Sequence, residues 1–205
     1  MALSNVTSQL LDDFLSIFNL QTTSIQIFDL PKLPRFVSFI LFFIIADFVQ
    51  YFTHRLIHNF PFLWKFHRVH HSAKQMGFAT HFRYHWMEPI IYKSIQYIPI
   101  ILIFGFKLED LYFVHFVTIA IGHLNHANLG WDYGIFKYIF NNPKMHTWHH
   151  AKEIPNKKGV NFAISLSLWD YLFNTIYIPF NGRDIELGFE NDHDYPQNFL
   201  DQEKF

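Results

Sequence analysis

Residues 36–58 read FVSFILFFIIADFVQYFT-HRLIH, an apolar run of eighteen residues that passes without a break into two histidines four apart. At 1.5 Å per residue the run is about 27 Å long as a helix, close to the hydrocarbon thickness of a bilayer. Its single charge is Asp47, and a carboxylate inside such a segment is costly enough to require a partner or a purpose. Asp47, Tyr51, His54 and His58 step by four, three and four residues, so a helix carries them on one face. The spacing predicts an outer hydrogen-bonding role for Asp47 beneath the histidines. The alternative is a water-facing Asp near the helix end.

Working outward, Asn59-Phe60-Pro61 ends this helix, because the residue before proline avoids the helical region. The next stretch, LWKFHRVHHS, places His67, His70 and His71 on one face of a second helix that ends near Ser72. The same H-x-x-H-H pattern returns at His146, His149 and His150, behind a Pro143 expected to open their helix. Between the copies stand His123 and His126. Ten of the fourteen histidines fall in these four boxes. Imidazoles aimed at one point are metal ligands or proton carriers.

The rest of the chain supports a membrane setting. Half of the residues are hydrophobic, a fifth are aromatic and 16% are charged, against roughly 25% in soluble domains. Residues 10–18 form a short amphipathic helix, with Leu10, Leu11, Phe14, Leu15 and Phe18 on one side. It suits either a membrane surface or packing on the protein. Met1–Thr7 has no positively charged lead, so no cleavable targeting segment is expected. Pro89–Phe106 and Leu111–Gly122, joined by Lys107–Asp110, read as a helical hairpin that enters the membrane and returns, the second run being short for a full span. All four boxes then lie on one side. Arg55, Lys65, Arg68, Lys74 and Arg83 follow the first span, against Lys32 and Arg35 before it, which makes that side cytoplasmic. The fold class expected is all-α: an integral-membrane helical protein with a cytoplasmic, histidine-rich helical cap over a dimetal site. It divides into an N-terminal segment (1–35), a membrane domain (36–180) and a polar tail (181–205) with no legible chemistry. His81 and His85 read as supporting or surface residues, and His115 as a packed helix histidine.

Composition and motifs narrow the chemistry. A net charge of −1 with no basic stripe excludes a nucleic-acid binder. Without cysteine there are no thiolate or iron–sulfur sites. H-E-x-x-H, G-x-S-x-G and glycine-rich phosphate or dinucleotide loops are all missing, so any nicotinamide or flavin resides on another protein. Ten histidines exceed the needs of one ion and suffice for two at four to five ligands each. Imidazole accepts iron, copper, nickel or zinc. A two-metal, all-histidine site above membrane helices points to attack on an unactivated lipid chain with a redox metal and O2, hence iron. The competing reading is a non-enzymatic membrane metal-binding protein that uses the same cluster. Boxes confined to one side disfavour transport. Ten buried imidazoles without a ligand would each need hydrogen-bond partners, which disfavours mere packing.

HRLIH, LWKFHRVHHS, HLNH, MHTWHH, Asn161 and WDYLFNT together resemble the fatty acid hydroxylase/sterol desaturase superfamily, from about Asp47 to Thr175. The resemblance implies an integral-membrane, non-haem di-iron oxygenase that hydroxylates or desaturates a fatty acyl, sterol or related chain. It also implies that His54, His58, His67, His70, His71, His123, His126, His146, His149 and His150 hold the metals. Asn161 and Asp170 match recurrent residues that support the ligands, and no side chain beyond the ligands is required for catalysis. A purified sample could carry zinc instead of iron. With no haem domain of its own, the chain would draw electrons from a cytochrome b5-like or ferredoxin-like protein. The family motif usually has Gly where this chain has Asn174, and many relatives have more spans ahead of the first box.

Overall fold

A computed structural model describes residues 9–10, 12–19, 25–156 and 158–204. Among them the chain is helical, with one isolated antiparallel bridge, Ala151 to Leu187, and no strand. We label the helices α1 (Arg35–Asn59), α2 (Pro61–His71), α3 (Met87–Phe104), α4 (Leu108–His126), α5 (Pro143–His149), α6 (Leu168–Leu172) and α7 (Phe199–Gln202). Met1–Thr7, where no cleavable targeting segment is expected, and Leu11 of the amphipathic stretch lie outside the described residues. Residues 12–16 are helical; Leu15 is buried while Leu10, Phe14 and Phe18 are exposed.

Helix α1 carries the apolar run and HRLIH as one uninterrupted rod. It stops at Asn59 because Pro61 takes the first position of α2. α3 descends from the histidine end and turns at Gly105–Lys107, and α4 climbs back to His126. Gly105 makes that turn with φ +66, a conformation L side chains disfavour; an added Cβ would also lie 2.7 Å from the Gln26 amide nitrogen. Arg35 in the first turn of α1 pairs with the buried Asp110 in the first turn of α4. The hairpin therefore reaches the level where α1 begins, rather than turning back part-way. Leu30, Phe42, Ala46, Ile100 and Val114 form the core between these helices.

α1 and α3 are long and apolar enough to cross a membrane. Their outer faces stay bare: Phe36, Ile40, Ile44, Phe52, Ile90 and Ile98 are exposed, as are Phe113 and Phe116 on α4. A helix that is apolar all round yet buried on one side only suits a lipid surround. The 181–205 tail does not trail away. Asp192 pairs with Lys74 and with Lys152, the latter at 3.1 Å, and Gln202 accepts from Arg83 at 2.7 Å. The tail thus folds back across the end of the bundle that holds the histidines.

Candidate metal centre

The ends of α1, α2, α4 and α5 converge, and their histidines gather into two clusters. His54, His58, His67, His71 and His149 form one, and His70, His126, His146 and His150 the other. Within each, one ring nitrogen per residue lies within 4.8 Å of every other. A first-row metal bound by imidazole at about 2.1 Å holds opposite ligands about 4.2 Å apart, so each cluster has the dimensions of one metal shell. Nine of the ten box histidines are thereby brought together. His123 is not among them: its ring stacks on Phe78 at 4.1 Å and meets Phe82 and His81 at 4.4 Å.

Hydrogen bonds fix which nitrogen faces inward. His54 donates Nδ1–H to the Phe162 carbonyl (2.7 Å), His70 to Arg83 (3.0 Å), His126 to Gly122 (2.6 Å) and His149 to Val160 (2.8 Å). His67 donates Nδ1–H to Glu88 Oε1 at 2.7 Å. In a neutral ring the other nitrogen is then a bare lone pair. Yet His54 Nε2 and His67 Nε2 lie 3.2 Å apart, and His70 Nε2 and His126 Nε2 3.0 Å. Burial pushes His70 down to about 4, with the neighbouring imidazoles adding to it, and holds His71, His146, His149 and His150 well below the ordinary histidine value. Protons do not explain the contacts near neutral pH. Facing lone pairs at this distance repel unless a cation stands among them. Nε2 of His58, His71, His149 and His150 is likewise buried without a hydrogen-bond partner. The donor set fits metal ions, and all-nitrogen coordination suits iron, copper, nickel or zinc.

The supporting residues are arranged differently from the sequence expectation. Asp47 reaches no histidine; its carboxylate accepts the N–H groups of Ser165 (3.2 Å) and Leu166 (3.1 Å) and the Trp169 indole (2.9 Å). It anchors the loop that returns to α1. Asp170 accepts from the Phe162 and Ala163 amides at 2.8 and 2.9 Å and from Thr175 Oγ1 at 2.6 Å. Asn161, at φ +52, donates to the Met145 and Tyr177 carbonyls and accepts from the Tyr177 amide. Together they hold residues 160–162 as a strap whose carbonyls orient His54 and His149. Sequence reasoning missed Glu88, among the described residues the one carboxylate that hydrogen-bonds to a cluster histidine. It sits beside Pro89, where the apolar run was taken to begin, and no periodicity marks it.

His85 is fully buried and accepts from the Met87 amide at 3.1 Å, so it does not lie at the surface. His81 stacks on His126 at 4.8 Å. Two cavities flank the clusters. One of about 270 Å³, largely apolar, is lined by Tyr92, Lys93, His115 and Ile119 and reaches His54, His67, His70, His126 and His146. The other, about 690 Å³ and more polar, is lined by Lys152, Glu153, Asn191 and His193 and reaches His58, His71 and His149.

The sequence pattern of fatty acid hydroxylases matches residues 39–175, most of the chain. The chain is 31% identical over 155 residues to ornithine lipid hydroxylase OlsE of Rhizobium tropici, covering 76% of this chain and 46% of that protein. It is 31% identical over 157 residues to alkylglycerol monooxygenase of Caenorhabditis elegans, covering 73% and 29%. It is 29% identical over 151 residues to very-long-chain aldehyde decarbonylase GL1-10 of Oryza sativa subsp. japonica, covering 71% and 48%. The chain thus spans less than half the length of these relatives. No solved structure matches it. With its histidine pattern, helical frame and the extent of that match, the chain belongs to the fatty acid hydroxylase family.

Proposed function

We propose that residues 36–180 form a membrane di-iron oxygenase that hydroxylates or desaturates a lipid chain, using O2 and electrons from a separate donor protein. The observation that carries this reading is the pair of histidine clusters whose inward nitrogens are lone pairs at hydrogen-bonding distance from one another. The nine clustered histidines would hold the two irons, and iron, when bound, supplies the oxidising power that an unactivated C–H bond requires. The relatives named as lipid hydroxylase, alkylglycerol monooxygenase and aldehyde decarbonylase support a lipid substrate. The bare apolar faces of α1, α3 and α4 support a bilayer, and the excess of Lys and Arg after the first span favours the cytoplasm for the histidine end.

This chain's own residues do the positioning. The apolar cavity between α3 and α4 receives the chain and excludes water beside both clusters. Glu88 fixes the ring of His67 and raises its basicity, as carboxylate partners of ligating imidazoles do. The 160–162 strap fixes His54 and His149 in the tautomer that turns Nε2 inward. Asp47 and Asp170 hold the strap and its following loop, so both act through backbone rather than through a histidine.

The test is turnover by protein purified in detergent, loaded anaerobically with iron, and given a chemical reductant, O2 and a lipid extract. The expected result is a lipid that has gained one oxygen or lost two hydrogens. An unchanged mass profile across lipid classes, with two irons bound per chain, would instead favour a metal-binding protein.

A further inference from the structure

The 270 Å³ cavity is not uniformly apolar. Lys93, on α3, lines it together with His115 and Thr118 of α4. Lys93 lies five residues beyond Glu88, about 7.5 Å further along the helix axis from the two histidine clusters. Its ammonium donates to Gln96 Oε1 at 3.2 Å and sits 5.4 Å from the ring centres of both Tyr92 and Tyr97. Among the described residues no carboxylate pairs with it. An ammonium has three protons to give, and one amide oxygen with two ring faces leaves it under-satisfied in a low-dielectric wall.

Its neighbours have the same deficit. Tyr97 Oη and His115 Nδ1 are both buried without a hydrogen-bond partner, and the two rings are 6.3 Å apart. Thr118 spends its hydroxyl proton on the His115 carbonyl at 2.9 Å. The cavity wall there therefore presents a cation and an imidazole, with a single amide acceptor already in use. Burying such a group without a counter-charge is costly, and cations at this depth ordinarily pair or mark a ligand path. What the corner lacks is an anion.

We propose that Lys93, with His115, binds the anionic headgroup of the lipid, a carboxylate or a phosphate, while the chain runs up the cavity toward the clusters. This rests on the cavity being the lipid site of the proposed oxygenase and narrows its substrate to acidic lipids. It also confines oxidation to the part of the chain within reach of the clusters when the head is held at Lys93.

The test is binding without turnover, on the full chain in a non-ionic detergent with neither reductant nor O2. Radiolabelled stearate, octadecyl phosphate and octadecanol are compared at a pH where the carboxylate is ionised. Stearate or octadecyl phosphate should bind more tightly than octadecanol, and the better of the two identifies the head. Lys93→Met should shrink the anion-to-alcohol ratio about 30-fold, the order expected for removing one side of a buried charge pair, and Lys93→Arg should preserve it. Retained octadecanol binding certifies that the Lys93→Met cavity is intact. If that variant binds no probe, Lys93→Gln is read in the same way. Equal binding of acid, phosphate and alcohol to the unaltered chain overturns the proposal, as does a ratio unmoved by Lys93→Met and Lys93→Gln. Because no step requires oxidation, a protein that prefers anions yet oxidises nothing would refute the oxygenase reading alone.

Discussion

The two histidine clusters differ in what stands behind them. In the five-histidine cluster, His67 leans on the Glu88 carboxylate, and His54 and His149 lean on the strap carbonyls, themselves held by Asp170 and Asn161. In the four-histidine cluster, His70 leans on the carbonyl of Arg83 and His126 on its own helix at Gly122, and among the described residues no carboxylate hydrogen-bonds to either; Glu88 reaches His70 only through its charge. The first is therefore an assembled site that needs residues from across the chain. The second is closer to a local product of helix ends. The first is also the more electron-rich, since a carboxylate behind an imidazole makes it a stronger donor than a carbonyl does. Two metals bound here would not be equivalent.

The largest effects should come from the clusters themselves. His149→Ala should empty the first cluster and His146→Ala the second, each lowering bound metal from about two to about one per chain and abolishing turnover. Metal analysis beside the product assay checks both. His123→Ala separates motif from geometry: its ring lies against Phe78 and Phe82, so both metals should remain. Loss of an equivalent in that variant would restore His123 to the ligand set and overturn the nine-histidine assignment.

The next effect is at Glu88. Glu88→Gln keeps the shape and a hydrogen-bond acceptor but removes the charge behind His67. Metal affinity of the first cluster should fall about 10–100-fold, as for other outer-shell partners of ligating histidines, while the second cluster keeps its metal. Chelator titration followed by metal count distinguishes the clusters. Equal loss from both would erase the proposed difference between them.

Much of this was legible in the sequence because helical period and metal geometry coincide. His54 with His58, and His67 with His71, had to share helix faces; Pro61 marked where the first helix stops and Pro143 where the last histidine helix opens. His123 and His126 show the limit of that reasoning. Three residues put them about 60° apart, enough for the last turn of α4 to send one ring into the cluster and the other against Phe78. Asp47 was readable as a buried carboxylate with a partner, but not as a loop anchor, because its partners are backbone amides more than a hundred residues away. Glu88 and Lys93 were hidden for a similar reason. Single charges at the edge of, or within, an apolar run carry no period, and only the packing of α3 against α2 and α4 gives them meaning.

The strap offers a smaller, more local test. Asp170→Asn keeps one acceptor oxygen but turns an NH2 group toward the Ala163 or Phe162 amide, two donors face to face. Leaving such a buried amide unsatisfied costs about 1–3 kcal/mol, read as a lower unfolding midpoint. The first cluster should lose metal before the second as denaturant is raised, because only the first has imidazoles bonded to the strap carbonyls. Simultaneous loss would mean that the strap supports the whole bundle end rather than one cluster.

The smallest effect expected is at Asn174, and it bears on how the strap is tied off. Helix α6 ends with Asn174 at φ +53, the Thr175 amide returning to the Asp170 carbonyl at 2.9 Å and the Asn174 amide to Tyr171 at 3.4 Å. This is the left-handed helix stop that glycine favours and asparagine tolerates, which accounts for Asn at the position where the family motif was expected to have Gly. The same turn delivers Thr175, whose hydroxyl meets both Asp170 and Tyr51. Asn174→Gly should leave the unfolding midpoint nearly unchanged, within about 0.5 kcal/mol, because glycine accepts this φ freely. Asn174→Val forces a branched side chain into the left-handed region at a cost of about 1–2 kcal/mol and should loosen Thr175, Asp170 and the strap in turn. The first cluster would then release its metal more readily in Asn174→Val than in Asn174→Gly, with the second unaffected. Equal metal retention in the two variants would show that the α6 stop is a fold feature without consequence for the first cluster.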